Sequence, residues 1–256
     1  MKTRVIQNEP EQPAHSTQTV GDETSPSTER RNKMTSSVHQ ARATRGQDDM
    51  LDSPLSRIAG PMALAAGVLI VVAQLVMLPF DPDDHVATST DPVFQVGGVL
   101  YLVGFCALML ALVGAYGWGL HKAPGRIGLI AVVTAIVGTM LLGGDLWFET
   151  FAVPWLADEA PAAFDTDPTT LLAIGAISSY LLFALGWALV GIASFRARVF
   201  PTAICVAIVI GGVIGFRALL SPTGIPLGLA VAWLGVWMMR TTTRAASETS
   251  QPEPQV

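Results

Sequence analysis

Long apolar runs bounded by proline, glycine and charged residues recur six times along the chain. They cover positions 58–78, 93–119, 127–151, 170–195, 200–220 and 224–239. About 20 apolar residues in helical form are needed to cross the hydrocarbon layer of a bilayer. None of the runs alternates polar and apolar positions as barrel strands do. Each is apolar on every side, so its backbone must be satisfied internally, as a helix. Pro61 falls in the opening turn expected of the first run, where a missing N–H is tolerated. The last run, GIPLGLAVAWLGVWMM, is the shortest. A re-entrant hairpin formed by the fifth and sixth runs is therefore the alternative to two full crossings. The expected fold is all-α: a six-transmembrane-helix bundle with a disordered N-terminal tail.

Lysine and arginine alternate with the runs. Arg42, Arg45 and Arg57 precede the first, Lys122 and Arg126 follow the second, Arg196 and Arg198 follow the fourth, and Arg240 and Arg244 follow the sixth. The connections after the first and third runs carry none; they carry acids, among them Asp81, Asp83, Asp84, Asp91, Asp158, Glu159, Asp165 and Asp167. Basic loops stay in the cytoplasm. The alternation places both termini there and the chain in the cell membrane as a multi-pass protein. Arg217 is the exception, being a cation on the side reserved for acids.

Composition sharpens this picture. Charged residues make up 14% of the 256 residues, where a soluble domain has about 25%, and mean hydropathy is +0.49. The charge crowds into residues 1–56 and 241–256, which with the bundle at 57–240 give three regions. The first is rich in Ser, Thr, Glu, Gln and Pro and lacks the apolar clusters that offset ordering entropy, so a disordered cytoplasmic tail is expected. The last is expected to be a second such tail. No apolar core follows the early basic residues, which excludes a signal peptide at that point. Met34 and Met50 each offer a start that keeps every apolar run. Arg30, Arg31 and Lys33 are too few for a nucleic-acid footprint. Cys106 and Cys205 are expected as small buried hydrophobes, with no disulfide or metal-ligand spacing. The four histidines lie in tails or loops, so haem ligation within the spans is unsupported; no cofactor and no metal is expected.

Small residues recur four apart at Ala59, Ala63 and Gly67, at Ala107, Ala111, Ala115 and Gly119, at Ala207, Gly211 and Gly215, and at Gly224, Gly228 and Ala232. Such faces allow close helix approach in lipid. They pack a monomeric bundle or, in the sharper reading, form a seam with a second copy or a partner membrane protein. Most of the tryptophans fall where interfacial anchors belong, and Trp187 lies deeper.

One polar constellation stands apart. Asp145 and Glu149 are four apart on the third run and so share a helical face. Arg217 lies about 25 Å along the fifth run at helical rise, level with Asp145. Gln74 and Gln95 occupy the same outer layer. A salt bridge from Arg217 to Asp145 or Glu149 is expected. Ser178, Ser179 and Tyr180 lie near the middle of the fourth run, where serines bond back to their own helix.

Three functional classes follow. A structural or accessory membrane protein requires a compact bundle with its polar layer paired internally and no continuous cavity. A small transporter or channel-like protein requires an outer vestibule for a cation or small polar solute, reaching Ser178–Tyr180. The outer acids Asp81, Asp83, Asp84 and Asp91, with His85, would extend that vestibule. A membrane enzyme would use Asp145 and Glu149 at the outer interface. The first class is the leading expectation. The third needs one of the two carboxylates in a pocket with a raised pKa. No nucleophile–base pair accompanies the serines, since no histidine sits in a run, so an intramembrane hydrolase is not expected.

Overall fold

A computed structural model describes residues 54–81, 84–165 and 169–249. Most of the expected N-terminal tail, with Met34, Met50 and the basic cluster, lies outside these residues. So do Asp83, Asp167 and the final stretch 250–256.

The described chain is helical throughout, with no strand among its described residues. It runs α1 (Pro54–Met77), α2 (His85–Thr90), α3 (Pro92–Trp118), α4 (Ile127–Trp147), α5 (Val153–Glu159), α6 (Thr170–Ala197), α7 (Thr202–Ile214) and α8 (Ile225–Thr249). A π-helical turn, Phe148–Ala152, joins α4 to α5 without a break, and a 3-10 turn, Gly215–Arg217, ends α7. Five helices are long and apolar enough to cross a membrane: those containing α1, α3, α4–α5, α6 and α8. They suggest a membrane-embedded protein.

The sixth apolar element differs from expectation. The short one is α7, not the last. Its 13 α-helical residues cover about 20 Å, against a hydrocarbon layer of about 30 Å. The final helix instead continues through Thr249, beyond the boundary expected at 240. The first helix also begins earlier than its apolar run, at Pro54, so Pro61 sits two turns inside it rather than in its opening turn.

The long helices form a closed ring. Neighbours in sequence pack together (α1 on α3, α3 on α4, α4 on α6, α6 on α7, α7 on α8), and α8 closes on α1. The packing is antiparallel. At one end Gly60 meets Met239, Gly119 meets Val199, and the Phe200 and Trp237 rings lie 5.7 Å apart. Lys122, Arg126, Arg196, Arg198 and Arg240 belong to this basic end. The opposite, acidic end carries Asp81, Asp84, Asp91, Asp158 and Glu159.

The small-residue faces are consumed inside the ring. A Cβ on Gly67 would lie 2.4 Å from the Ala232 nitrogen and the Gly228 carbonyl oxygen of α8. On the far side, a Cβ on Gly138 would lie 2.4 Å from the Phe183 nitrogen, and one on Gly186 2.4 Å from the Ala135 Cα. Backbone-to-backbone contact of this kind is how helices associate where burial from water supplies no drive. Aromatic side chains fill the centre: Tyr101 on Phe105 at 5.0 Å, Phe105 stacked on Phe183 at 5.5 Å, and Phe183 beside Trp187 at 6.4 Å. The Trp187 indole donates to the Thr139 hydroxyl at 3.3 Å, so the deep tryptophan is core as expected. The outside of the ring is apolar, with Leu129, Met140, Leu171, Leu181, Ile210 and Leu229 all exposed from the protein. Cys205 is buried, whereas Cys106 faces outward, contrary to expectation.

Candidate functional site

The shortness of α7 creates the site. After Arg217 the backbone does not continue as a helix; it turns through Ala218–Gly224, with a cis peptide before Pro222, and α8 starts at Ile225. Irregular backbone within a helical bundle must have its polar groups met by protein. Gln74 and Tyr101 meet them. The Gln74 amide donates to the Ala218 carbonyl at 2.9 Å, and the Tyr101 hydroxyl donates to the same oxygen at 2.6 Å. The Gln74 side-chain oxygen accepts from the Gly224 N–H at 3.2 Å, and the Ser221 hydroxyl donates to the Gln74 carbonyl at 2.8 Å. Gln74 and Tyr101 are buried at 0% and 1% exposure, so each of these bonds replaces one that water cannot supply. Gly224 is required by this closeness: a Cβ there would lie 2.6 Å from the Tyr101 hydroxyl. Among the described residues, every buried side-chain polar atom has a partner.

The looped-in segment forms one wall of a cavity of about 370 Å³ at the acidic end. Arg217, Leu219, Leu220, Ser221 and Thr223 come from the loop. Leu146, Glu149 and Thr150 come from the end of α4 and the π turn. Met77 ends α1 and Phe80 and Asp81 follow it, Thr88 and Phe94 come from α2 and α3, and Tyr180 comes from α6. The π turn itself inserts extra backbone where Glu149 sits, and such turns recur at functional sites. The Thr150 hydroxyl bonds back to the Leu146 carbonyl at 2.7 Å within it.

Of the residues singled out in the sequence, Glu149 and Arg217 both line the cavity. Asp145 is not part of the cavity wall; it stands near the Tyr180 hydroxyl, and Tyr180 is within electrostatic reach of Asp145, Glu149 and Arg217 together. Gln74 belongs to the scaffold beneath the loop. Gln95 stands apart: its amide donates to the Ser89 carbonyl at 3.2 Å and ties α3 to the end of α2. Ser178 and Ser179 bond back to the carbonyls of Gly175 and Ala176, at 2.8 and 2.7 Å, as expected.

The acids of the first connection divide by task. Asp84 caps α2, accepting from the Ala87 N–H at 3.2 Å, and Asp91 caps α3, accepting from the Val93 N–H at 2.7 Å. Asp81 reaches the cavity, and its carbonyl accepts from the Thr88 hydroxyl at 2.9 Å. No group of three or more His, Cys, Asp or Glu side chains is set to hold a metal ion among the described residues. Tyr101, Ser221 and Thr223 escaped the sequence reading. Tyr101 alone carried a signal, as a phenol inside an apolar run that must find an acceptor.

Comparison with known proteins gives no match to any family model, to any curated protein or to any solved structure.

Proposed function

We propose that the chain is a six-span protein of the cell membrane, with both termini in the cytoplasm, that binds a small solute in a cavity open to the outside. Alternation of basic and acidic connections supports the orientation, and it makes the acidic end the outer one. α7 then completes its crossing by way of the looped segment, which is tolerable because that backbone is bonded by Gln74 and Tyr101 and lines a cavity. Interrupted spans whose irregular backbone lines a cavity are how transporters build binding sites.

The observation that carries the reading is the cavity itself. A purely structural bundle would close its polar layer on itself. Here Glu149, Tyr180 and Arg217 border about 370 Å³ of space, together with the hydroxyls of Ser221 and Thr223. That volume lies in the range of small-molecule sites, as does the mixture of apolar wall and few polar groups. The accessory-protein reading keeps one observation of its own, the Gln74–Tyr101–Ala218 network, which pins helix register without touching solute.

The test is solute binding by the purified full-length protein in detergent. Thermal stabilisation is screened against amino acids, amines, sugars and divalent cations, then repeated with Glu149→Gln and Asp145→Asn. The expected result is stabilisation by one class and its loss in Glu149→Gln. Stabilisation by no class, with the protein folded, would leave the accessory reading.

A further inference from the structure

We infer that the occupant of this cavity is a zwitterion, carrying a primary ammonium and an acid group on one small apolar body. The inference rests on reading the cavity as a solute site and names the chemistry it selects. Three features of the wall converge on it.

First, charges of both signs border the same space. Glu149 and Arg217 line the wall together with Tyr180, which is within electrostatic reach of both. A site for simple cations gains nothing from a guanidinium in its wall, which repels them. A site for simple anions gains nothing from Glu149 and Asp81 in its wall, with Asp145 near Glu149 and Tyr180. A ligand with both charges satisfies the two sides at once.

Second, Arg217 sits on the side that the positive-inside pattern leaves free of cations, at the end of a helix that stops short. A guanidinium is suited to hold a carboxylate or phosphate through two parallel hydrogen bonds. Its placement beside acids gives it a counter-charge, and its position in the wall gives it access to an incoming anion.

Third, much of the wall is hydrocarbon or ring. Met77, Phe80, Phe94, Leu146, Leu219 and Leu220 line it, and Phe80 meets Phe94 edge-on at 5.5 Å. Inorganic ions would lose hydration against such a surface and gain nothing for it. An aliphatic or aromatic body gains by leaving water there. Ser221, Thr223 and Thr88 supply hydroxyls that can serve either charged group.

The same chemistry comes from two sources, a free amino acid or the headgroup of an aminophospholipid. Three probes with one hydrocarbon body separate the charges: L-leucine, 3-methylbutylamine, which lacks the acid group, and 4-methylpentanoate, which lacks the ammonium. Each is titrated by calorimetry into full-length protein in dodecyl maltoside. In parallel, native mass spectrometry records whether added phosphatidylethanolamine is retained over phosphatidylglycerol. A hydrogen bond to a charged group is worth about a factor of ten or more. Leucine is therefore expected to bind at least about tenfold more tightly than either single-charge probe. Arg217→Gln should bring leucine down to the level of the amine while leaving the amine bound as tightly or more tightly, since a repelling cation is removed; a folding defect would weaken both. Retention of phosphatidylethanolamine, lost in Glu149→Gln and in Arg217→Gln, with no leucine binding, supports the zwitterion and identifies a lipid headgroup as its source. Amine or acid binding as tightly as leucine overturns the inference and leaves the solute site standing. Failure of every probe and of the lipid overturns the inference; only a blank result in the wider screen as well removes the solute site itself.

Discussion

Gln74 and Tyr101 converge on one carbonyl, that of Ala218, from helices α1 and α3. Because they share an acceptor, their contributions are coupled. Tyr101→Phe leaves the carbonyl bonded to Gln74 and should cost about 1 kcal/mol. Gln74→Leu also strips the Gly224 N–H of its acceptor and should cost about 1–3 kcal/mol. The double variant should lose more than the sum, since only then is the Ala218 carbonyl left buried and unmet. Unfolding in detergent micelles checks this, and strict additivity would show that the two bonds do not meet at one atom. The sequence marked Gln74 as one of the polar residues of the outer layer. It could not name the partner, a backbone carbonyl 144 positions away whose exposure depends on a helix ending early. The same limit applies to Arg217. Its anomaly in the charge pattern was visible, and so was the pairing of Asp145 with Glu149 on one face. That a phenol from α6 would join these groups was not, because helix rotation decides it and apolar runs that are uniform all round carry no record of rotation.

Among the elements, the interhelical seams give the sharpest prediction. Gly67 lies against backbone of α8 on two sides, whereas nothing lies within 4 Å of a Cβ built on Gly175 of α6. Gly67→Leu should therefore destabilise by about 3 kcal/mol or more, or prevent recovery of folded protein, because backbone cannot yield as side chains do. Gly175→Ala should leave stability unchanged or raise it by up to about 1 kcal/mol through helix propensity. Equal effects, measured as folded yield and thermal midpoint in detergent, would mean that α1 and α8 do not meet at this point. Small residues four apart announced close approach but not the partner: seams with another copy and seams within one chain read alike. Span boundaries were legible to within a few residues for α3 and for the starts of α4 and α6, since polar and proline-bearing loops bound them. The early end of α7 was not, because Gly215–Leu220 is apolar apart from Arg217 and hydropathy does not separate a helix from a buried loop. The π turn at Phe148–Ala152 was equally silent, as it changes hydrogen-bond register without changing composition.

For the molecule as a whole, ring closure by α8 on α1 follows once each helix has packed on its neighbour in sequence. Short connections force antiparallel neighbours, and the first and last described helices, α1 and α8, pack together. This brings every basic connection to one end and the cavity to the other. The all-helical class and the division into apolar runs were therefore readable from the chain, whereas the cavity was not, since it depends on how α7 stops. The central claim is that the acidic end opens outward with the cavity in it. Cysteine accessibility in intact cells tests it most directly. In a background with Cys106→Ala and Cys205→Ala, Thr223→Cys at the cavity wall should react with a membrane-impermeant maleimide added outside. Lys122→Cys, at the basic end, should react only after the membrane is permeabilised. Labelling of Lys122→Cys in intact cells, or of Thr223→Cys only after permeabilisation, would contradict the account.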